Sequence, residues 1–243
     1  MHVIDEHHLD DDLIERRFVS GDIPGIAWIP DPCPEPVPTI LLGHPGGLNS
    51  MYTRLLGRAR MSARHGFATA TIELPGSGDR EPLPAIDEVR TELRQNLMSG
   101  QPVTDDIVDR LVLPLVDIAV PEWQVALDDL MSTPELRGPI GFSGGVTAIG
   151  LRLAGVEPRI AALVLFAGSF VPHSFVEEAA RLSVPMHMLL QWDDERNDRQ
   201  AALNLFDAYG SHQKTLSANM GGHTGVPDFA GEEVARFLAR HLH

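Results

Sequence analysis

Ser143 is the residue of this 243-residue chain whose neighbours most clearly favour chemistry. It lies in Gly141-Phe142-Ser143-Gly144-Gly145, between a short apolar run and a helical pattern. A serine on a tight strand-to-helix turn holds its hydroxyl at a helix N-terminus, where free N–H groups favour negative charge. The flanking glycines remove Cβ atoms that would collide with neighbouring elements. We therefore interpret Ser143 as a nucleophile held in a strained backbone conformation.

Two other interpretations apply to this G-x-S-x-G segment. A glycine-rich turn can contain a serine by chance, and a strand-to-helix turn can also bind phosphate. The segment lacks the Lys and Ser/Thr that end a P-loop, and it does not match the dinucleotide pattern G-x-G-x-x-G. The strand–turn–helix context therefore favours the nucleophile.

A serine nucleophile needs a base, and the base needs an acid to orient it. On a strand–elbow–helix scaffold the three follow in the order Ser, Asp or Glu, His. His223 follows a predicted strand at 214–218 and two glycines, so it is the candidate base. The preceding predicted strand, 185–191, ends in Trp192-Asp193-Asp194-Glu195. We favour Asp194 as the acid, with Asp193 as the alternative.

The oxyanion formed by attack on a carbonyl needs preplaced donors. The N–H of Gly144, directly after the nucleophile, is one candidate. The other comes from His44-Pro45-Gly46-Gly47, the loop after the first central strand. Pro45 has no N–H, and we favour Gly46 with Gly47 as the alternative. We interpret His44 as a buried structural histidine.

Composition excludes several classes of function. The formal charge of −15 argues against a nucleic-acid or anionic-membrane partner. The single cysteine, Cys33, excludes a disulfide scaffold and a Cys-based metal site, and it has no basic neighbour to activate it. His7 and His8 could bind a metal adventitiously, but a solvated arm is the simpler interpretation. We expect no cofactor and no metal. We also expect a cytoplasmic location, because the N-terminus is acidic and no apolar stretch could span a bilayer. The oligomeric state cannot be inferred.

Predicted strands and helices alternate along most of the chain, which is typical of a single α/β domain with a mainly parallel sheet and helices on both faces. Residues 14–29 predict an antiparallel hairpin, and residues 1–12 a frayed acidic arm. The long segment 80–121 predicts a helical insertion of the kind that forms a lid or pocket wall. Side chains that could contact a substrate are Leu97, Met98, Phe170 and Trp192. Apolar residues at such positions are also common in the core.

The chain resembles the α/β-hydrolase superfamily over nearly its whole length, and most of all its small dienelactone-hydrolase-like or carboxylesterase-like branch. The loops 44–47, 141–145, 191–195 and 221–223 carry the resemblance. Dienelactone hydrolases proper use cysteine where this chain has Ser143. The oxyanion loop reads His-Pro-Gly-Gly rather than His-Gly-Gly-Gly, and the proline that usually follows the acid is missing.

The leading hypothesis is a serine esterase, lactonase or thioesterase that acts through an acyl-enzyme on Ser143. An acyltransferase, a peptidase or a non-catalytic binding protein on the same scaffold is the alternative, because fold does not fix function. Under the leading hypothesis the partner is a small ester-type molecule.

Overall fold

The computed structural model describes residues 1–9 and 12–243. These residues form a nine-stranded sheet with helices on both faces. The strands are β1 (His2–Leu9), β2 (Leu13–Ser20), β3 (Ile23–Pro30), β4 (Val37–Gly43), β5 (Ala68–Ile72), β6 (Leu136–Gly144), β7 (Ile160–Phe166), β8 (Met186–Gln191) and β9 (Lys214–Asn219). The helices are α1 (Leu48–Arg64), α2 (Pro84–Ser99), α3 (Asp105–Leu130), α4 (Thr147–Val156), α5 (Ser174–Ala180), α6 (Arg199–Ala208) and α7 (Asp228–Leu242).

The strand order is β1-β2-β3-β5-β4-β6-β7-β8-β9. The first three strands pair antiparallel, and β3 joins β5 antiparallel. From β5 to β9 every neighbouring pair is parallel, so the carboxyl ends of these strands lie along one edge. The chain switches direction across the sheet between β4 and β6, and ligands of open α/β sheets bind in the crevice at such a point.

The core consists of two apolar layers, one on each face of the sheet. On one face, α1 and α7 contribute Leu55 and Leu238 beside inward residues of β4 such as Ile40. The opposite layer is larger and is built around α3, with Trp123 edge-on to Phe142 of β6 at 5.9 Å between ring centroids. The predicted α/β class, with a mainly parallel sheet and helices on both faces, is confirmed, and so is the hairpin, which is β2 and β3.

The prediction of a frayed N-terminal arm is wrong for residues 2–9, which form β1 and pair antiparallel with β2. Residues 10 and 11 of that predicted arm lie outside the described residues. Almost every side chain of β1 is exposed, so the segment has the polar composition of an arm. Its order comes from backbone hydrogen bonds to β2, and composition does not report these.

The segment predicted as an insertion over residues 80–121 does not end at Pro121. Helix α3 continues through both Pro114 and Pro121 to Leu130. Proline inside a helix removes a backbone hydrogen bond, but α3 has a long buried face that packs on the sheet, and this burial offsets the loss. Most of α3 is therefore core, while a lid function for α2 stays a prediction. In the described part of the chain no helix has the length and apolarity to cross a membrane.

Candidate active site

The segment around Ser143 forms the turn between β6 and α4, as the sequence predicts. Ser143 is the penultimate residue of β6, where it is in register with Leu42 on one side and Val164 on the other. The residue is only 5% exposed. The N-terminus of α4 is tied to β7 and to the loop after it, because Thr147 donates through Oγ1 to the carbonyl of Phe166 and through its amide to Ser169 Oγ, both at 3.1 Å. The turn is thus anchored to both neighbouring strands.

Backbone strain at this turn lies in the glycines and not in the serine. Gly144 and Gly145 have φ of +79° and +75°, whereas among the described residues the only non-glycine with positive φ is Asp12. The predicted strained conformation of Ser143 is therefore wrong. Two consecutive glycines after the serine turn the chain through the left-handed region, and this leaves Ser143 in extended strand geometry.

The oxyanion loop predicted at residues 44–47 lies beside this turn, since β4 and β6 are neighbours and Gly43 is in register with Gly144. A Cβ on Gly145 would be 2.7 Å from the Cα of Gly43 and 2.8 Å from the amide nitrogen of His44. Only glycine permits this close approach. Within the described residues the amides of Gly46 and Gly47 have no protein acceptor, so both are free to donate to a ligand.

His44 is buried and structural, as its position in the chain predicts. Its Nε2 donates to the carbonyl of Ile72 at 2.8 Å. Burial lowers the pKa of His44, so the ring is neutral at neutral pH. A narrow cavity of about 10 Å³ lies next to this histidine, between the ends of β4 to β6 and Trp123 of α3. A volume of this size holds about one water molecule.

Asp194 and His223 are brought together by the ends of β8 and β9. Asp194 Oδ2 lies 2.8 Å from His223 Nδ1, and it also accepts from Asn197 Nδ2 at 2.9 Å. The amide of Arg196 donates to the other carboxylate oxygen. Burial by itself raises the pKa of Asp194, but these hydrogen bonds outweigh it and the pKa is lowered. The carboxylate therefore stays ionised, and the Nε2 edge of His223 remains available.

Asp193, the alternative acid, has a different contact. Its Oδ1 accepts from the amides of Gly221 and Gly222, both at 2.9 Å. These two hydrogen bonds lower the pKa of Asp193. The side chain thus fixes the loop that carries His223, while its neighbour Asp194 contacts the imidazole.

Ser143 is not joined to His223 in this structure. Among the described residues no hydrogen bond links Ser143 Oγ to the imidazole, and Oγ instead accepts from Arg58 Nη2 at 2.9 Å. The ring of His223 packs edge-on against Phe166 at the end of β7, with 5.7 Å between centroids. Catalytic hydrogen bonds are often long or absent without substrate. The structure therefore brings together the candidate acid and the candidate base, and it leaves Ser143 with another partner.

The residues predicted to contact a substrate lie in two separate places. Trp192, directly after β8, is 43% exposed, and the guanidinium of Arg199 lies 4.1 Å from its ring centroid. Phe170, after β7, is partly buried and packs against the larger core. Leu97 and Met98 are exposed near the end of α2. Trp192 and Phe170 follow strands at the carboxyl edge, whereas Leu97 and Met98 belong to the α2 segment.

No group of three or more His, Cys, Asp and Glu side chains has a metal-binding arrangement in residues 1–9 and 12–243. His7 and His8 each contact a single carboxylate, Asp5 and Asp31 respectively. Burial, followed by the nearby charges of Glu135 and Asp31, raises the pKa of Cys33, which agrees with an unreactive thiol.

Several residues of the site were not found from the sequence. Arg58 lies in α1, where nothing in the local pattern distinguishes it from other polar helix positions. Glu73 is buried directly after β5 and accepts from the amide of Leu48 at 3.0 Å, which fixes the start of α1. A carboxylate directly after an apolar strand was an available signal for Glu73. Asn197, three residues after Asp194, had no comparable signal.

Comparison with family models and with curated proteins found no match. Solved structures do match the chain. A cold-adapted esterase from an Arctic intertidal metagenomic library is 25% identical, with a TM-score of 0.75 and coverage of 99% of this chain and 98% of that one. An acetyl xylan esterase from Paenibacillus sp. R4 is 15% identical, with a TM-score of 0.64 and coverage of 99% and 87%. An esterase from Pyrococcus furiosus is 11% identical, with a TM-score of 0.65 and coverage of 99% and 98%.

The two more distant matches bear on the fold alone, and the Arctic esterase is similar over the full length of both chains. This chain is therefore an α/β hydrolase in its fold, similar over its whole length to a known esterase.

Proposed function

We propose that this protein is a serine hydrolase that cleaves a small carboxylic ester, lactone or thioester through an acyl-enzyme on Ser143. The observation that carries the proposal is the 2.8 Å hydrogen bond between Asp194 and His223, at the edge of the sheet where the strand of Ser143 also ends. An ionised acid that orients an imidazole is the part of a triad that a merely structural histidine does not need.

The first half of the reaction forms the acyl-enzyme. His223 Nε2 takes the hydroxyl proton as Ser143 Oγ attacks the carbonyl carbon, and Asp194 stabilises the resulting imidazolium. The tetrahedral intermediate collapses, the bond to the alkoxide or thiolate leaving group breaks, and His223 returns the proton to that group. For a lactone the leaving group remains part of the same molecule.

The second half repeats these proton transfers with water. His223 removes a proton from the water as its oxygen attacks the acyl carbon, and the proton then passes to Ser143 Oγ when the acid product leaves. In both halves the carbonyl oxygen becomes anionic, and the amide of Gly144 with that of Gly46 or Gly47 would bind it. Each such donor contributes roughly 3–4 kcal/mol to transition-state stabilisation.

The solved neighbours support ester hydrolysis as the general activity. The Arctic protein, similar over the full length of both chains, is an esterase. No partner other than a small molecule is required, and the acidic surface argues against nucleic acid.

One observation favours a second candidate, a binding protein with an inactive serine. Ser143 Oγ contacts Arg58 instead of His223, so the proposed reaction requires the hydroxyl to direct its proton to the imidazole. A non-catalytic protein has no such requirement.

The test uses hydrolysis of p-nitrophenyl acetate and labelling by a neutral fluorophosphonate. The wild-type protein is expected to hydrolyse the ester and to carry the phosphonyl group on the peptide that contains Ser143. Ser143→Ala should lose both, while Ser183→Ala, an exposed serine in the loop before β8, should keep both. Absence of labelling in the native protein would support the binding protein, and full turnover by Ser143→Ala would exclude the acyl-enzyme.

A further inference from the structure

Arg58 of α1 reaches the ends of two central strands at the candidate nucleophile. Its Nη1 donates to the carbonyl of Gly43 at 3.1 Å, and its Nη2 donates to the carbonyl and to Oγ of Ser143 at 2.7 and 2.9 Å. The guanidinium also packs against Gly144, where a Cβ would lie 3.0 Å from both terminal nitrogens. One side chain therefore contacts the last residue of β4, the serine and the residue after it.

Arg58 has no carboxylate partner in the part of the chain that the structure describes. Within residues 1–9 and 12–243 no Asp or Glu forms an ion pair with it, and its acceptors are neutral carbonyl and hydroxyl oxygens. Desolvation, together with the like charge of Arg54, lowers the pKa of Arg58 to about 10. The guanidinium therefore remains charged at neutral pH. A largely desolvated cation with no carboxylate partner among the described residues is unfavourable for stability by itself. Stability therefore does not explain its position beside the serine.

The direction of the hydrogen bond leaves the serine proton uncommitted. A guanidinium has donors and no acceptor, so Ser143 Oγ can only accept from Arg58. The hydroxyl proton must then point to a different acceptor, and in the proposed reaction that acceptor is His223 Nε2. A fixed cation next to Oγ also favours the negative charge that develops on this oxygen as the proton leaves.

We propose that Arg58 positions the hydroxyl of Ser143 and promotes its deprotonation through the unneutralised charge that it holds against Oγ. This proposal rests on the proposed serine-hydrolase function. It differs from a structural role in which the guanidinium only joins the carbonyls of Gly43 and Ser143. If the role were only structural, the pH dependence of labelling at Ser143 would not change when Arg58 is replaced.

The experiment measures the second-order rate at which a neutral fluorophosphonate labels Ser143, as a function of pH. Arg58→Met removes the charge and the donors, and we expect labelling to slow by about 100-fold, the effect of removing one preorganised donor. Arg58→Lys retains a charge without the bidentate geometry, and it should recover part of the rate. Arg54→Gln removes an exposed charge one turn earlier on the same helix, and it should label within about twofold of wild type.

The pH midpoint of labelling is the second measurement. A cation held against Oγ stabilises the negative charge that develops on this oxygen, so it allows the hydroxyl proton to leave at lower pH. Loss of this cation removes that stabilisation, so the pH midpoint of labelling should move to higher pH in Arg58→Met and return towards the wild-type value in Arg58→Lys. If Arg58 only joins the strand ends, Arg58→Met should lower the thermal stability and leave the pH midpoint of labelling unchanged.

The outcomes separate this proposal from the function on which it rests. If wild type is not labelled, the serine-hydrolase function and the role of Arg58 are both overturned. If wild type is labelled and a folded Arg58→Met keeps its rate and midpoint, only the role of Arg58 is overturned. If Arg58→Met does not fold, Arg58→Lys decides: a slower rate supports the proposal, and a wild-type rate overturns it.

Discussion

The close approach of Gly145 to the end of β4 and to His44 gives a prediction whose magnitude follows from the structure. An alanine Cβ at this position would lie 2.7 Å from the Cα of Gly43, and its φ would be +75°. The left-handed conformation costs an alanine about 1–2 kcal/mol. Overpacking between two buried strands adds about 1–3 kcal/mol. We therefore expect Gly145→Ala to lower the free energy of unfolding by about 2–5 kcal/mol.

Gly100 provides a matched control for the backbone contribution. It follows α2 with a φ of +66°, and an added Cβ there would meet nothing within 4 Å. Gly100→Ala should therefore lose only the conformational contribution, about 1–2 kcal/mol. Urea unfolding followed by the fluorescence of the three tryptophans measures both variants. The difference between them reports the collision with β4.

Gly145→Ala should also reduce ester hydrolysis more than Gly100→Ala does. Relief of the collision must move the turn after β6 relative to the loop after β4, and these carry the proposed nucleophile and the proposed oxyanion donors. A displacement of about 1 Å at such a site can reduce the rate by about 100-fold. Equal unfolding free energies and equal rates for the two alanine variants would show that β4 and the turn are not in the tight contact described.

Three further changes test other contacts. Asp194→Asn should reduce kcat for p-nitrophenyl acetate by roughly 10³–10⁴-fold, because the amide favours the wrong tautomer of His223; an unchanged kcat would remove Asp194 from the mechanism. Burial lowers the pKa of His187, so the unfolded state binds more protons below its ordinary pKa of about 6.5, and stability falls as the pH decreases from there. His187→Gln should reduce the dependence of the unfolding free energy on pH by at most about 1.4 kcal/mol per pH unit, as measured by urea unfolding between pH 7 and pH 5. The same pH dependence in the variant and the wild type would contradict a neutral, buried His187 ring. Ser169→Ala leaves the amide of Thr147 at the start of α4 without its 3.1 Å acceptor and should lower the unfolding free energy by about 1 kcal/mol. An unchanged urea midpoint would mean that water replaces the hydroxyl.

Sequence reasoning predicted best where a segment has its own periodicity. The run at residues 160–166 is a strand with those same bounds, because a fully apolar segment of that length is buried on both faces of a parallel sheet. The prediction of an element boundary was wrong where tertiary packing overrides the local preference of the residue. Pro121 suggested a boundary, yet α3 continues through it because the buried face of that helix is large.

The predictions for the N-terminal segment and for the turn at Ser143 were wrong for a different reason. Strand β1 is ordered by pairing with β2, and its exposed side chains carry little signal of this. At the turn, the motif predicted strain on Ser143, but two glycines follow it and the left-handed angles lie there. A motif gives the residue types at a turn and does not determine which of them has positive φ.

The sequence by itself determined the α/β class, and it predicted the order Ser143, Asp194, His223 at the ends of three of the parallel strands. These follow from local signals, namely apolar runs that end in glycine or acidic turns. Only the tertiary structure decided that Asp194 contacts the imidazole while Asp193 fixes the loop, and that Arg58 is the partner of Ser143. Such choices depend on where side chains from distant segments point, which is set by strand register and helix packing.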